Sequence, residues 1–125
     1  MTDLKTIDKC KEHIYRFYRD EYGMEIDDAK ERFSKNGNYL NLINTSYGPY
    51  DIQVDVDLDE HFVRYLANGW DGTRTAIDEY YENEEQMELD LQNLNFVSWY
   101  DSAIVKLRDV IGYHNSNKYE MMPIA

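Results

Sequence analysis

The chain has 125 residues, enough for one domain, and 42% of them are hydrophobic, which predicts a globular fold rather than a disordered acidic tail. Its formal net charge of −12 disfavours nucleic acid and anionic membranes as direct partners, because like charges repel. The single cysteine, Cys10, excludes an internal disulfide, and the lack of a signal-peptide pattern or a long apolar run predicts a non-secreted, cytoplasmic protein.

Two helices are predicted at the N-terminus. Residues 3–22 carry apolar side chains at helical spacing, which indicates an amphipathic helix. Asp3 is a suitable N-cap, and Gly23 stands where glycine commonly ends a helix. A second, shorter helix is predicted over residues 27–35 and is ended by Gly37.

A three-stranded antiparallel meander is predicted next. Residues 38–47 form a strand-like run, Gly48-Pro49 marks a turn, and residues 50–58 alternate between apolar and polar side chains. This alternation directs one face of the strand to the core and places a row of polar side chains on the other: Asp51, Gln53, Asp55 and Asp57. Residues 61–67 are compatible with a strand or a short helix, and we favour the strand.

The C-terminal part is predicted to be helical. Residues 83–94 form one helix and residues 97–111 form the last, which Gly112 closes; the tail is expected to fray. The fold class is therefore α+β, with N-terminal helices, a three-stranded sheet and two C-terminal helices in a single domain, divided as 1–37, 38–67, 76–112 and the tail 113–125.

The motifs of metal and cofactor sites are incomplete or absent. Asp55-x-Asp57-x-Asp59 begins like a calcium loop, but Glu60 replaces the required glycine and Leu66 replaces the bidentate glutamate. Three histidines lack the spacing of metal ligands: His13, His61 and His114. The chain also lacks a phosphate-binding loop and the motifs of nucleophilic catalysis, so we expect no metal, no cofactor and no enzymatic activity.

The negative charge is concentrated in the middle of the chain. Residues 36–100 contain 13 acidic and two basic side chains, whereas the two flanking parts are nearly balanced. A general effect on solubility requires no such segregation, so the pattern favours an acidic surface that binds a basic protein. The candidate partner-binding acids are Asp51, Asp55, Asp57, Asp59, Glu60, Glu82, Glu84, Glu85, Glu88 and Asp90, and the candidate aromatic anchors are Trp70, Tyr80 and Tyr81.

One segment is similar to a known family. Residues 62–70 read F-x-x-x-x-x-N-G-W, and the Glu/Asp-rich segment 79–94 follows, with matching positions at Glu82, Glu84, Glu85, Asp90 and Leu94. This combination, about a quarter of the chain, resembles the C-terminal half of the small acidic type II-A anti-CRISPR proteins that inhibit Cas9. The resemblance implies that the acidic face mimics DNA and occupies the Cas9 site that reads the PAM duplex. It also implies a helix over residues 62–70, where the residue pattern favours a strand.

Three functional hypotheses follow. The favoured one is a phage or mobile-element inhibitor, acting in the host cytoplasm, that presents a DNA-like acidic surface to a basic nuclease or CRISPR effector, with Cas9 as the favoured target. The alternatives are an immunity or antitoxin protein that neutralises a basic nuclease toxin, and a non-inhibitory accessory structural protein. The protein is expected to be a monomer or a dimer. DNA mimicry requires that the acidic strand and the acidic helix lie on one side of the fold.

Overall fold

The computed structural model describes residues 3–33 and 37–111, and in this part of the chain two helices are followed by four strands and three further helical segments, the last at residues 108–111. The elements are α1 Leu4–Tyr22, α2 Ile26–Phe33, β1 Tyr39–Tyr47, β2 Tyr50–Asp57, β3 Phe62–Gly69, β4 Arg74–Tyr80, α3 Glu84–Gln92 and α4 Phe96–Lys106. The predicted α+β class is confirmed. None of the described helices is long and apolar enough to cross a membrane.

Helix α1 follows the sequence prediction closely at its C-terminus. Gly23 adopts a left-handed conformation with φ of 66°, and its N–H group donates to the Arg19 carbonyl at 3.0 Å. At the N-terminus, Asp3 stands at the N-cap position, but its side chain makes no capping hydrogen bond. Helix α2 runs to Phe33, and the predicted end at Lys35 lies outside the described residues.

The sheet has four antiparallel strands in the order β1-β2-β3-β4, so the predicted number of three is wrong. The three predicted strands are confirmed, including the strand preferred over a helix for residues 61–67. The additional strand, β4, includes residues that we expected to begin the helical part. Ile77 and Tyr81 have helical spacing, but Thr75, Ile77 and Glu79 alternate on one face of β4, opposite Ala67, Tyr65 and Val63 of β3.

A turn after β3 returns the chain along the sheet and makes β4 possible. The Gly69 N–H group donates to the Thr73 carbonyl at 2.6 Å, and Asp71 Oδ1 accepts the N–H group of Thr73 at 3.0 Å. A Cβ atom on Gly69 would lie 2.8 Å from Asp71 Oδ1 and 3.3 Å from a Tyr50 ring carbon, so the turn depends on glycine for space.

The core lies between the helices and one face of the sheet, which we call the inner face. Side chains of β2 that point inward are fully buried: Ile52, Val54, Val56 and also Leu58 just beyond it. They pack with buried residues of the helices, namely Cys10, Ile14, Met87, Leu91, Ala103 and Leu107. Cys10 is fully buried, and burial raises the pKa of its thiol to about 12, so it behaves as a small apolar residue of the core.

The last predicted helix is interrupted. Helix α4 ends at Lys106, Leu107 forms a turn, and residues 108–111 are again helical. Leu107 and Ile111 are both buried, and the Ile111 N–H group donates to the Leu107 carbonyl at 3.0 Å, so both helical pieces contribute to the same core. The predicted closing residue Gly112 and the tail 113–125 lie outside the described residues.

Candidate functional site

The predicted row of carboxylates on β2 is interrupted at its centre. Asp55 is only 1% exposed, so the prediction that it contacts a partner is wrong. Its carboxylate accepts hydrogen bonds from the Tyr39 hydroxyl at 2.8 Å, the Asn41 side-chain amide at 2.7 Å and the Gln53 side-chain amide at 3.0 Å. Buried carboxylates require such donors, and Asp55 therefore stabilises the sheet instead of presenting charge to solvent.

The neighbouring charges on this outer face of the sheet are also paired. Arg64 lies opposite Asp55 on β3, and its guanidinium donates two hydrogen bonds to the Asp78 carboxylate on β4, at 2.7 and 2.9 Å. These hydrogen bonds lower the pKa of Asp78. The guanidinium also lies over the Phe62 ring, 5.1 Å from its centroid. The centre of the outer face is therefore a mixed polar and aromatic surface and does not imitate a regular row of phosphates.

Three candidate acids lie at the β2–β3 turn, at one end of the sheet: Asp57, Asp59 and Glu60. Asp57 Oδ1 accepts the backbone N–H groups of Asp59 at 3.0 Å and Glu60 at 2.9 Å. The Asn38 side-chain amide donates to Asp59 at 3.0 Å. His61 completes the turn with φ of 61°, a left-handed conformation that few residues other than glycine adopt. The side chains of the turn thus hold its shape and leave Glu60 exposed.

The start of α3 lies beside this turn. The Tyr81 N–H group donates to the His61 carbonyl at 2.8 Å, and His61 Nε2 lies 3.8 Å from Glu84 Oε1. Glu84 Oε1 also accepts the backbone N–H group of Asp3 at 2.8 Å, which brings the beginning of α1 to the same place. Two acidic segments that are distant in sequence are therefore neighbours in space.

We call this surface the acidic end and define it by Asp57, Asp59, Glu60, Glu82, Glu84 and Glu85. Glu60, Glu82 and Glu85 are exposed, and the other three are half-buried. The sequence contains no lysine or arginine between Arg74 and Lys106, so α3 contributes acids without basic residues of its own. Glu84 and Glu85 occupy the first turn of α3, where the helix dipole stabilises negative charge.

Tyr80 adds an exposed aromatic side chain to the acidic end. It is 64% exposed, and its ring centroid lies 5.1 Å from that of Phe62, which is buried. The strand register places Phe62 opposite both Tyr80 on β4 and Asp57 on β2. An exposed aromatic ring that is supported by a buried one and flanked by carboxylates is typical of binding hot spots.

Asp51 and Trp70 are not brought together with these residues. Asp51 pairs with Asn68 near the start of β2, and the Trp70 N–H group donates to the Pro49 carbonyl at 3.0 Å. Trp70 is 76% exposed, but β2 separates it from the acidic end by about 23 Å, since a strand rises about 3.3 Å per residue. The expectation that Trp70 anchors the same surface is therefore not met.

Helix α3 directs its two remaining candidate acids elsewhere. Glu88 faces α1, where Glu88 Oε2 lies 3.6 Å from His13 Nε2. Asp90 accepts a hydrogen bond from the Tyr81 hydroxyl, next to the inner face of β3 and β4. The acidic strand and the acidic helix therefore meet at one end of the fold but do not share one face.

A cavity of about 300 Å³ lies between the inner face of β3 and β4 and the two C-terminal helices. Its walls include four aromatic residues, two acids and one base: Tyr65, Tyr80, Tyr81, Trp99, Glu79, Asp90 and Lys106. Tyr80, Tyr81 and Asp90 are candidate residues from the sequence. Trp99 and Lys106 belong to a helix whose apolar stripe indicates core packing, and Glu79 lies in β4, a segment that the sequence pattern includes in the helical part.

The segment that resembles the anti-CRISPR family does not form the implied helix. Residues 62–69 form β3, and Trp70 begins the following turn. Comparison with protein-family models, with curated proteins and with solved structures finds no match to this chain. Within residues 3–33 and 37–111, no group of three or more His, Cys, Asp or Glu side chains is arranged to hold a metal ion.

Proposed function

We propose that this protein is a phage or mobile-element inhibitor that acts in the host cytoplasm and binds a basic nucleic-acid-handling protein through its acidic end. The observation that carries the proposal is the convergence of the β2–β3 turn and the start of α3 on one surface, next to the exposed ring of Tyr80. The protein acts by binding and not by catalysis.

The charge of the acidic end is complementary to that of a basic groove that binds nucleic acid. Lysine and arginine side chains that bind phosphate groups also bind carboxylates, so a cluster of exposed acids competes for the same groove. Charge favours the correct partner and orientation, and Tyr80 contributes the apolar contact that charge alone lacks. The proposed mimicry belongs to the acidic end and not to the outer face of the sheet, because Asp55 is buried there.

Cas9 is the favoured target because the acidic segment resembles that of the type II-A anti-CRISPR proteins. The support now comes from the acidic positions alone, since the F-x-x-x-x-x-N-G-W segment is a strand and a turn in this chain. Purified Cas9 with its guide RNA is therefore the first protein to test, and basic nucleases recovered from the host lysate are the second.

The test compares two variants with the same change in net charge. E60K/E82K/E85K reverses the three exposed acids of the acidic end, and E12K/E25K/D101K reverses three exposed acids outside it. We expect 1:1 binding by the wild type that weakens as salt is raised. The first variant should bind about 100-fold more weakly, because each interfacial charge contributes on the order of 1 kcal/mol, whereas the control variant should bind nearly as the wild type does.

Binding is measured by isothermal titration calorimetry at low and high salt, and folding of both variants is checked by circular dichroism. Equal binding by the acidic-end variant and the wild type, or equal losses in both variants, contradicts the proposal. Recovery of a nuclease toxin as the salt-sensitive partner, with no binding to Cas9, assigns the immunity role instead.

A further inference from the structure

The cavity behind β4 combines aromatic walls with a local excess of negative charge. Tyr65, Tyr81 and Trp99 line it together with the carboxylates of Glu79 and Asp90. Tyr65 is nearly buried and Tyr81 and Trp99 are half-buried, so their rings form walls and not a free surface. Aromatic rings beside carboxylates are the surroundings in which proteins bind cationic groups, since the faces of the rings and the acids both attract positive charge.

Among the described residues that line the cavity, one carboxylate has no cation beside it. Lys106, the only basic side chain among the described lining residues, forms an ion pair with Glu79. Asp90, by contrast, accepts its hydrogen bond from the neutral Tyr81 hydroxyl. The pair between Lys106 and Glu79 also demonstrates that a cation fits at the rim of this cavity.

The tyrosines of the cavity respond to this negative charge. The pKa of Tyr65 is raised to about 12 by burial and by the nearby carboxylates of Glu79 and Asp90. Burial and the carboxylate of Asp90 also raise the pKa of Tyr81. Tyr65 and Tyr81 are therefore neutral near pH 7 and add no negative charge of their own. Their rings and hydroxyls remain available to a cation and its N–H donors.

An arginine side chain fits these features better than a lysine side chain. Its planar guanidinium stacks on aromatic rings and offers several N–H donors in a plane, whereas the lysine ammonium is a compact, strongly hydrated charge. The cavity volume of about 300 Å³ is at the lower limit of small-ligand sites, which suits one side chain and not a large ligand.

We propose that this cavity is a binding site for an arginine side chain of the partner, held between the aromatic walls and Asp90. The proposal rests on the proposed function, because it names the residue with which the basic partner anchors itself. Tyr80 connects the cavity with the acidic end, since it lines the cavity and is also exposed at the acidic end.

The experiment titrates ¹⁵N-labelled protein with N-acetylarginine amide and follows the indole N–H signals of Trp99 and Trp70 by nuclear magnetic resonance. N-acetylcitrulline amide, which has a neutral group of the same shape, is the matched ligand. We expect a saturable shift of the Trp99 signal with arginine and none with citrulline. Trp70 is an internal control, because it lies at the opposite end of the sheet.

Two variants change the affinity in opposite directions. Asp90→Asn should weaken arginine binding about tenfold, because it removes a charge-assisted contact. Lys106→Met should strengthen it about threefold, because Glu79 then loses its internal cation and becomes available to the ligand. A gain of affinity cannot result from a folding defect, so the second variant keeps the test decisive.

The outcomes separate this inference from the proposed function. The arginine site is overturned by any of three results: no saturable shift of Trp99, an equal shift with citrulline, or unchanged affinity in both variants. The proposed function remains intact in that case if partner binding still depends on Glu60, Glu82 and Glu85. If N-acetylarginine amide binds but no basic partner protein is found, the arginine site stands and the proposed function is contradicted.

Discussion

At the scale of single residues, the surroundings of a carboxylate decide its role. Asp51 and Asp55 belong to the same strand and point to the same face, yet Asp51 is exposed and Asp55 is buried among Tyr39, Asn41 and Gln53. The alternation of β2 predicts the face correctly but contains no information about which donors the neighbouring strand brings. Asp55 is therefore a structural residue within a strand whose polar face carries three aspartates.

Replacing Asp55 by alanine should destabilise the fold strongly. The substitution removes the acceptor of the Tyr39 hydroxyl and of the Gln53 amide and one acceptor of the Asn41 amide, all at a half-buried place. We expect the free energy of unfolding to fall by about 2–4 kcal/mol, whereas Asp51→Asn on the exposed part of the strand should change it by less than about 0.5 kcal/mol. Urea denaturation of both variants measures the difference, and equal stabilities would contradict a structural role for Asp55.

At the scale of elements, strong local patterns were sufficient for three strands and for α1, but not for β4. The alternation of residues 50–58 and the glycine at the end of α1 are local signals, and both predictions are confirmed. Strand β4 lacks such a signal, because Ile77 and Tyr81 have helical spacing and the segment forms a strand only where the Gly69–Thr73 turn returns the chain to pair with β3. The acidic end and the cavity depend on contacts between distant segments, so their members could be identified from the sequence only in part.

Strand β4 is at the edge of the sheet, and its attachment should depend on pH. Arg64 on β3 lowers the pKa of Asp78 on β4 below its ordinary value of 3.8, so the contact stabilises the fold above that value. This contribution is lost as the pH falls through the lower folded-state pKa. We expect Asp78→Asn to cost less than about 1 kcal/mol near neutral pH, because the pair is partly exposed.

The stability difference between wild type and Asp78→Asn should be smaller at about pH 3 than at about pH 7, because the contribution of the ion pair decreases below the unfolded-state pKa and vanishes only below the lower folded-state pKa. Urea denaturation at about pH 7 and about pH 3 gives both differences, with Asp51→Asn as the control for a generic loss of one charge. A difference that persists unchanged in acid would show that the substitution acts through packing and not through the ion pair.

At the scale of the whole molecule, the net charge of −12 opposes folding while it favours a basic partner. The acidic end contains six carboxylates in adjacent loops and one helical turn, and its three most exposed members contact solvent in the free protein. Because clustered carboxylates repel one another, this arrangement lowers the stability of the free protein. Stability and binding should therefore respond in opposite directions to the same substitutions.

Neutralising the acidic end should stabilise the free protein. In E60Q/E82Q/E85Q the mutual repulsion of carboxylates is reduced, so we expect a melting temperature a few degrees above that of the wild type at low salt, with little difference at high salt. The same variant should bind the basic partner more weakly than the wild type. Differential scanning calorimetry at two salt concentrations measures the first effect, and a lower melting temperature at low salt would contradict it.

The position of the acidic end has a consequence for the kinetics of complex formation. Because six carboxylates lie together at the acidic end, we expect the molecule to have an electric dipole moment along the strands. The field of a basic groove exerts a torque on this dipole, so the molecule is turned with its acidic end forward before the surfaces touch. Added salt should therefore lower mainly the association rate constant, while substitutions of Tyr80 should mainly shorten the lifetime of the complex.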